Sequence, residues 1–291
     1  MILLIYCLGY YFLAGLAINV GYHRCMAHRS LHLKKWFERV LITMGLLAGT
    51  PIQWAGNHRY HHSYTDRAGD PHSPHQGGFW HAHVGWYLGT DNGWICFAYS
   101  LAGPLRTFYD GWHRPRSNQE HVALARDVAR DPYYRFISRK IPYLIANVLN
   151  VLILFGGVYL IAGWNGIKAL WMMSIIVYNL GDAVNSFGHL HGNRPYKATH
   201  LARNNRLLAY LTLGEGWHAN HHVFSRSARH GLLPHQFDWT WHVIRLLEKV
   251  GLASRIILPE QKRIRQRLLG EHPPQHAVVE ILSPAQSSNQ R

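Results

Sequence analysis

Three histidine clusters, far apart in the chain and each following an apolar segment, constrain this sequence more than any other feature. His23-Arg-Cys-Met-Ala-His28 reads HxxxxH, while His58-Arg-Tyr-His61-His62 and His218-Ala-Asn-His221-His222 both read HxxHH. On an α-helix, positions i, i+3 and i+4 share one face, so each HxxHH presents three imidazoles to one side. The two histidines of HxxxxH differ by about 140° around such a helix and can meet one metal only at a helix end or an irregular turn. Eight imidazoles are more than the three or four of a mononuclear zinc site, so the pattern calls for two metals. Zinc, copper, iron and nickel all accept imidazole. No nucleophile or phosphate-cradling loop accompanies the clusters, and all three abut apolar segments. A redox metal acting on a lipid explains that placement better than hydrolysis does.

Composition then limits the architecture. Hydrophobic residues make up 48% and charged residues 15%, yet the mean hydropathy is only −0.15, which fits a few spans plus a large polar part. Met1–Tyr22 carries no charge and is long enough to cross a bilayer. A signal peptide would want a basic start and a small-residue cleavage site, and the start here has no Lys or Arg, so a true span is expected. Val40–Gly56 is shorter and reads as a helix buried at the membrane boundary. Ile141–Ile167 and Ala169–Gly181, joined through the turn-like Ala162–Gly166, read as a transmembrane hairpin with Trp164 at the interface. The expected spans are thus 2–22, 141–162 and 166–187.

Lysine and arginine concentrate in 24–39, 105–140 and 194–271, which assigns 23–140 and 188–260 to the cytoplasm. The first span then runs inward from the far side, unless a further helix precedes it. The same distribution accounts for the net charge of +15 without nucleic acid, for which no binding motif is present. Cys7, Cys25 and Cys96 form neither a disulfide framework nor a zinc knuckle. The expected fold class is an all-α, multi-pass integral membrane protein, its few spans topped by a cytoplasmic helical domain that holds a histidine-rich di-iron site. Trp239–Leu258 is amphipathic and either lies on the leaflet or packs on the polar part. Residues 261–291 form a polar tail expected to be disordered.

The neighbours of the clusters carry a resemblance. Residues 53–86 (QWAGNHRYHHSYTDRAGDPHSPHQGGFWHAHVGW), 185–196 (NSFGHLHGNRPY) and 214–222 (GEGWHANHH) resemble, in order and spacing, the membrane fatty-acid desaturases of the delta-9 branch. The resemblance spans about residues 5 to 260 and implies a ninth ligand, His189. It also implies two irons: one held by His23, His28, His58, His62 and His221, the other by His61, His189, His218 and His222, with Asn185 reaching the second through a water. The implied reaction consumes O2 and two reducing equivalents and leaves a cis double bond in a long acyl chain. No cytochrome b5 or ferredoxin domain is visible, so electrons come from a separate donor of that kind. Asp66, Asp70 and Glu215 are candidates to accept the other ring N–H of ligating histidines. Trp54, Trp80 and Trp86 are candidate walls of a substrate tunnel.

Two departures leave the acyl carrier open among acyl-CoA, acyl-ACP and glycerolipid. The animal acyl-CoA enzymes have Arg-Asp before the second cluster, where this chain has Gly56-Asn57. A basic pair before the GF motif is replaced by His75-Gln76. Of the other histidines, His72, His81 and His83 are expected to be structural or to support ligands. His32, His75, His113, His121, His191, His200, His230, His235, His242, His272 and His276 are expected to be incidental. The nearest rival is a histidine-rich membrane di-iron hydroxylase. A metal-binding or transport protein would want polar ligands within the spans, and the clusters lie outside them.

Overall fold

The structure, a computed structural model, describes residues 1–113 and 123–268. Helix α1, Ile2–Leu16, continues without a break into a wider helix, Ala17–Ala27, whose backbone bonds run i→i+5. Then come α2 (Lys35–Met44), α3 (Pro51–Tyr64), α4 (Pro74–Trp80), a second wide turn at His81–Gly85, α5 (Trp86–Leu88) and α6 (Gly93–Ser100). Helices α7 (Leu105–His113), α8 (Arg126–Ala129) and α9 (Pro132–Ile137) lead to the long α10 (Lys140–Leu190). Short helices α11 (Arg206–Leu211) and α12 (His218–Val223) precede α13 (Trp239–Lys249) and α14 (Gln261–Arg267). The described strand content is one antiparallel pair, β1 (His32–Leu33) with β2 (Ala253–Ser254), in the register His32↔Ser254.

Helix α10 is a hairpin. The Phe155 and Trp171 rings lie 6.5 Å apart, whereas a straight helix would separate them by about 24 Å. The reversal sits at Gly163, whose φ of 54° and ψ of −141° suit a residue without Cβ. Its two arms pack with α1 around Tyr10, Val158 and Leu170. The outward faces expose large apolar side chains, among them Leu4, Ile5 and Leu13 on α1 and Ile145, Leu152, Ile153 and Leu160 on α10. Trp164, at the tip, is 71% exposed.

The chain termini of these long helices carry the site. The wide helix following α1 and the end of α10 bring His23, His28 and His189 to the site, and α3 packs on the wide helix while α12 packs on α10. Two cores hold this upper part. Tyr22, Met26, Ile42 and Ala55 form one; Val20, Leu31, Leu41 and Ile244 form the other. Burial of Ile244 docks α13 on this body, while Trp239, Leu246 and Val250 of the same stretch stay exposed.

The boundary placed at residue 261 needs correction. Gln261–Arg267 is helical, and Ile264, 3% exposed, packs with Tyr196 and Ala219. One apolar face suffices to dock an otherwise polar helix. The rest of the expected tail, 269–291, lies outside the described residues.

Candidate metal centre

The wide helix resolves the geometry of HxxxxH. His28 N–H donates to the His23 carbonyl at 3.0 Å, the i→i+5 bond of a π-helix, a form that recurs at functional sites. At that pitch the fifth residue returns to the same face, and the His23 and His28 rings lie 4.9 Å apart. The pair thus meets at an irregular turn and a helix end, as the spacing requires: His28 is the residue that caps the wide helix.

The structure brings nine histidines together in two sets. His23, His28, His58, His62 and His221 form one; His61, His189, His218 and His222 form the other. Within each set the nitrogens offered lie within 4.8 Å of one another. In the first, Nε2–Nε2 distances are 2.7 Å for His28–His58, 3.0 Å for His23–His221 and 2.9 Å for His221–His62. In the second they are 3.0 Å for His189–His218, 3.1 Å for His222–His218 and 3.3 Å for His61–His222. The sets adjoin where His62 stacks on His222, at 4.4 Å between ring centres.

Three carboxylates stand behind the rings. Nδ1 of His23 faces Glu215 Oε2 at 2.5 Å, Nδ1 of His61 faces Asp70 Oδ1 at 2.8 Å, and Nδ1 of His189 faces Asp66 Oδ2 at 2.9 Å. Donation from Nδ1–H leaves Nε2 as a bare lone pair. Such lone pairs then face other imidazole nitrogens about a hydrogen bond away, a repulsive arrangement that a cation between them relieves. The donor set therefore fits metal.

Electrostatics agree. Burial, reinforced by neighbouring imidazoles, pushes His28, His58, His61, His62, His218, His221 and His222 well below the ordinary histidine range, keeping them neutral. Burial alone would raise the carboxylates. For Asp66 the hydrogen bonds from His189, Ser73 and the Leu201 N–H outweigh it and hold the group well below the usual range. His23 and Arg24 do the same for Glu215. At Asp70 burial wins, pushing it up to about 6 against the Asp66 and His72 N–H groups.

A pH dependence follows. Unfolded imidazoles protonate around pH 6.5, while the buried ones resist it, so the open site binds more protons than the closed one. Stability of the site is full above that pH and is lost as the pH falls below it. Metal content after dialysis is expected to be constant at about pH 7–8 and to fall progressively below about pH 6.5; a profile flat to about pH 5 would contradict this.

Beside both sets lies a cavity of about 220 Å³. His23, His58, His61 and His218 wall one end, and Tyr10, Ala14, Ile18, Met44, Val177 and Leu180 line its apolar depth. Asn185 faces the same cavity. So do Trp54, stacked on His58 at 5.0 Å, and Trp86, which packs on His72. Trp80 does not line it; it packs against Phe79 and Phe97 beside Gly93. The wide turn at His81–Gly85 follows Trp80 and carries the chain on to Trp86 at the cavity.

The other histidines divide. His83 bridges Ser186 and Asn179 of α10, and His81 faces Asp91 and the Pro71 carbonyl, both structural roles. His72 stacks on His61 at 4.1 Å. Three histidines expected to be incidental are not. His75 Nε2–H donates to the His189 carbonyl at 3.2 Å, His200 lies 5.2 Å from His222, and His230 is buried against His221. His75 comes from α4 and the other two from loops, and no HxxHH-like spacing marks any of them. His121, His272, His276 and the side chain of His113 lie outside the described residues.

Fold and site define a class: a helical protein with two adjoining all-imidazole sites able to hold metal at the head of an apolar cavity. The family model described as fatty acid desaturase matches residues 2–248. The chain belongs to the fatty-acid desaturase family. It is 36% identical over 260 residues to an Arabidopsis thaliana protein named as a probable chloroplastic lipid desaturase, covering 89% of this chain and 64% of that one, less than two thirds of its length. It is 37% identical over 261 residues to an acyl-CoA C20 Delta5-desaturase of Anemone leveillei, covering 88% and 74%. Against an sn-1 stearoyl-lipid 9-desaturase of Anabaena variabilis it is 35% identical over 257 residues, covering 87% and 83%.

Proposed function

We propose that this chain is an integral-membrane, di-iron desaturase that places a cis double bond, at the delta-9 position, in a long acyl chain. The observation that carries this reading is the conjunction of nine converging imidazoles with an apolar cavity that reaches four of them. The exposed apolar faces of α1 and the α10 hairpin support membrane insertion, and the basic flanks support a site on the cytoplasmic side.

His23, His28, His58, His62 and His221 would hold one iron and His61, His189, His218 and His222 the other, with Asn185 near the second. When bound, the irons supply the oxygen reduction that withdraws hydrogen from an unactivated methylene. Asp66, Asp70 and Glu215 keep Nδ1 protonated and Nε2 free on three ligands. The cavity wall holds one carbon–carbon bond of the acyl chain beside the histidines and excludes bulk water. The balance is closed by an external donor. O2 takes up four electrons and four protons to give two waters; the acyl chain provides two of each, the donor two electrons and the solvent two protons.

A second cleft, which shares no lining residue with the cavity, opens beside His28 and suits that donor. Among the described residues it is lined by Arg29, Arg59, Arg126, Arg130 and Arg226, with Asp127 as its one carboxylate. Asp127 is engaged by Arg29 and Arg59. Such a surface supports docking of an acidic carrier, a ferredoxin or a cytochrome b5. Charge reversal (Arg126→Glu with Arg130→Glu) is expected to slow ferredoxin-driven turnover by roughly 10-fold or more at low salt, the difference fading at high salt. A single turnover of protein reduced with dithionite, freed of it and then given O2, should be unchanged. Equal ferredoxin rates in both proteins would remove the cleft from the pathway.

The test of the whole reading is the fatty-acid profile of a host expressing the chain. New monounsaturated acyl chains with the bond located at C9 are expected. Hydroxylated chains, or no new product in a metal-loaded protein, would overturn it. The relatives act at different positions and on different carriers, so separating acyl-CoA, acyl-ACP and glycerolipid pools in the same experiment identifies the carrier.

A further inference from the structure

We infer that His230 is a positioning residue for the five-histidine set, holding Glu215 and His221 in place from behind. The inference rests on the reading that this set binds a metal. His230 is 1% exposed, and neither ring nitrogen has a hydrogen-bond partner among the described residues. A buried, unsatisfied imidazole is costly and calls for an explanation. Its ring lies 4.6 Å from that of His221 and 5.3 Å from that of His23. Its Nδ1 stands 3.5 Å from Glu215 Oε2, the same oxygen that faces His23 Nδ1.

The backbone shows that this placement is built. His230 N–H donates to Asp238 Oδ2 at 2.7 Å, and its carbonyl accepts from Asn220 Nδ2 at 2.6 Å. Asn220 lies between His218 and His221, so the loop that carries His230 is tied to the third cluster itself. Asp238 in turn pairs with Arg24, the neighbour of His23. One loop is thereby fixed to both clusters.

Two consequences follow for the ligands. Arg24 donates to Oε1 and His23 to Oε2 of Glu215, and His230 Nδ1 stands just beyond hydrogen-bond reach of Oε2, closing that side. Glu215 is held as an acceptor, which keeps His23 in the tautomer whose Nε2 is free. His221 has no partner on its own Nδ1, so its ring orientation depends on packing, and His230 is the ring behind it. The four-histidine set has Asp66 and Asp70 behind His189 and His61, and the ring contacts of His230 among the described residues are with His23 and His221 of the other set. Loss of His230 should therefore weaken one metal position and spare the other.

The experiment is a cobalt(II) titration of the full chain in detergent, read by the absorption of the bound ion. Wild type should take up two equivalents. His230→Phe keeps the ring but removes both nitrogens. It is expected to weaken one equivalent by roughly 10–100-fold, the range for removing an outer partner of a ligand, and to leave the other within about 2-fold. His230→Gln, which restores a donor toward Glu215, should recover most of the loss. Wild-type affinity at both positions in His230→Phe, or equal weakening of both, would overturn the assignment. Should that protein not accumulate, His230→Asn is polar and smaller but too short to reach Oε2. It should show the same one-sided loss, and unchanged binding there would overturn the proposal equally. A wild-type protein that binds two metals without desaturating any lipid would sink the proposed function and leave this inference standing.

Discussion

Replacing His221 with alanine is expected to reduce desaturation at least about 100-fold, to background, while the protein stays in the membrane fraction. His221 Nε2 lies 3.0 Å from His23 Nε2 and 2.9 Å from His62 Nε2, at the centre of its set. The backbone cost is small, since alanine is the best helix former and α12 loses no hydrogen bond from His221 Nδ1. His61→Ala should act alike on the four-histidine set, with the added effect that Asp70 loses the imidazole facing it. Fatty-acid profiles, membrane fractionation and metal content on the same cells separate loss of chemistry from loss of protein. Retention of more than about a tenth of the activity in either variant would refute the site.

The second large effect concerns stability. Arg24 is completely buried and faces two carboxylates, Glu215 at 3.1 Å and Asp238 at 3.2 Å. Arg24→Leu leaves both without their cation in a site where water cannot compensate. Breaking such a buried ion pair costs about 3–5 kcal/mol, which for a chain of this size lowers the unfolding midpoint by roughly 10 °C. The paired control is Arg29→Leu. Arg29 also contacts a carboxylate, Asp127, but its side chain is 56% exposed, and an exposed pair contributes at most about 1 kcal/mol. Thermal unfolding of both in the same detergent decides the matter; an Arg24→Leu protein within about 1 kcal/mol of wild type would show that the buried pair carries no net stability.

Much of the site was legible because its chemistry is local. HxxHH is a statement about one helix face, and α3 and α12 present those faces as the periodicity requires. The turn at Ala162–Gly166 was legible for the same reason: a glycine able to take positive φ stands between two strongly apolar stretches. Asp66 and Asp70 lie within ten residues of His61, so a role beside it was open to argument from distance along the chain. HxxxxH was only half legible. Its two rings share a face when the backbone bonds i→i+5, and residue spacing does not reveal which bond a helix adopts.

What the tertiary structure alone decided is every relation that crosses the chain. His23 meets Glu215 from 192 residues away and His61 meets His222 from 161. His230 resembles any loop histidine until Asn220 and Asp238 fix it behind His221. Trp80 and Trp86 look equivalent in sequence, and only the packing shows that Trp86 faces the cavity. The physical reason is that residue type and helical period determine what a side chain can offer and which face offers it. Where that face is aimed depends on packing against distant elements, here α3 against the wide helix and α12 against α10.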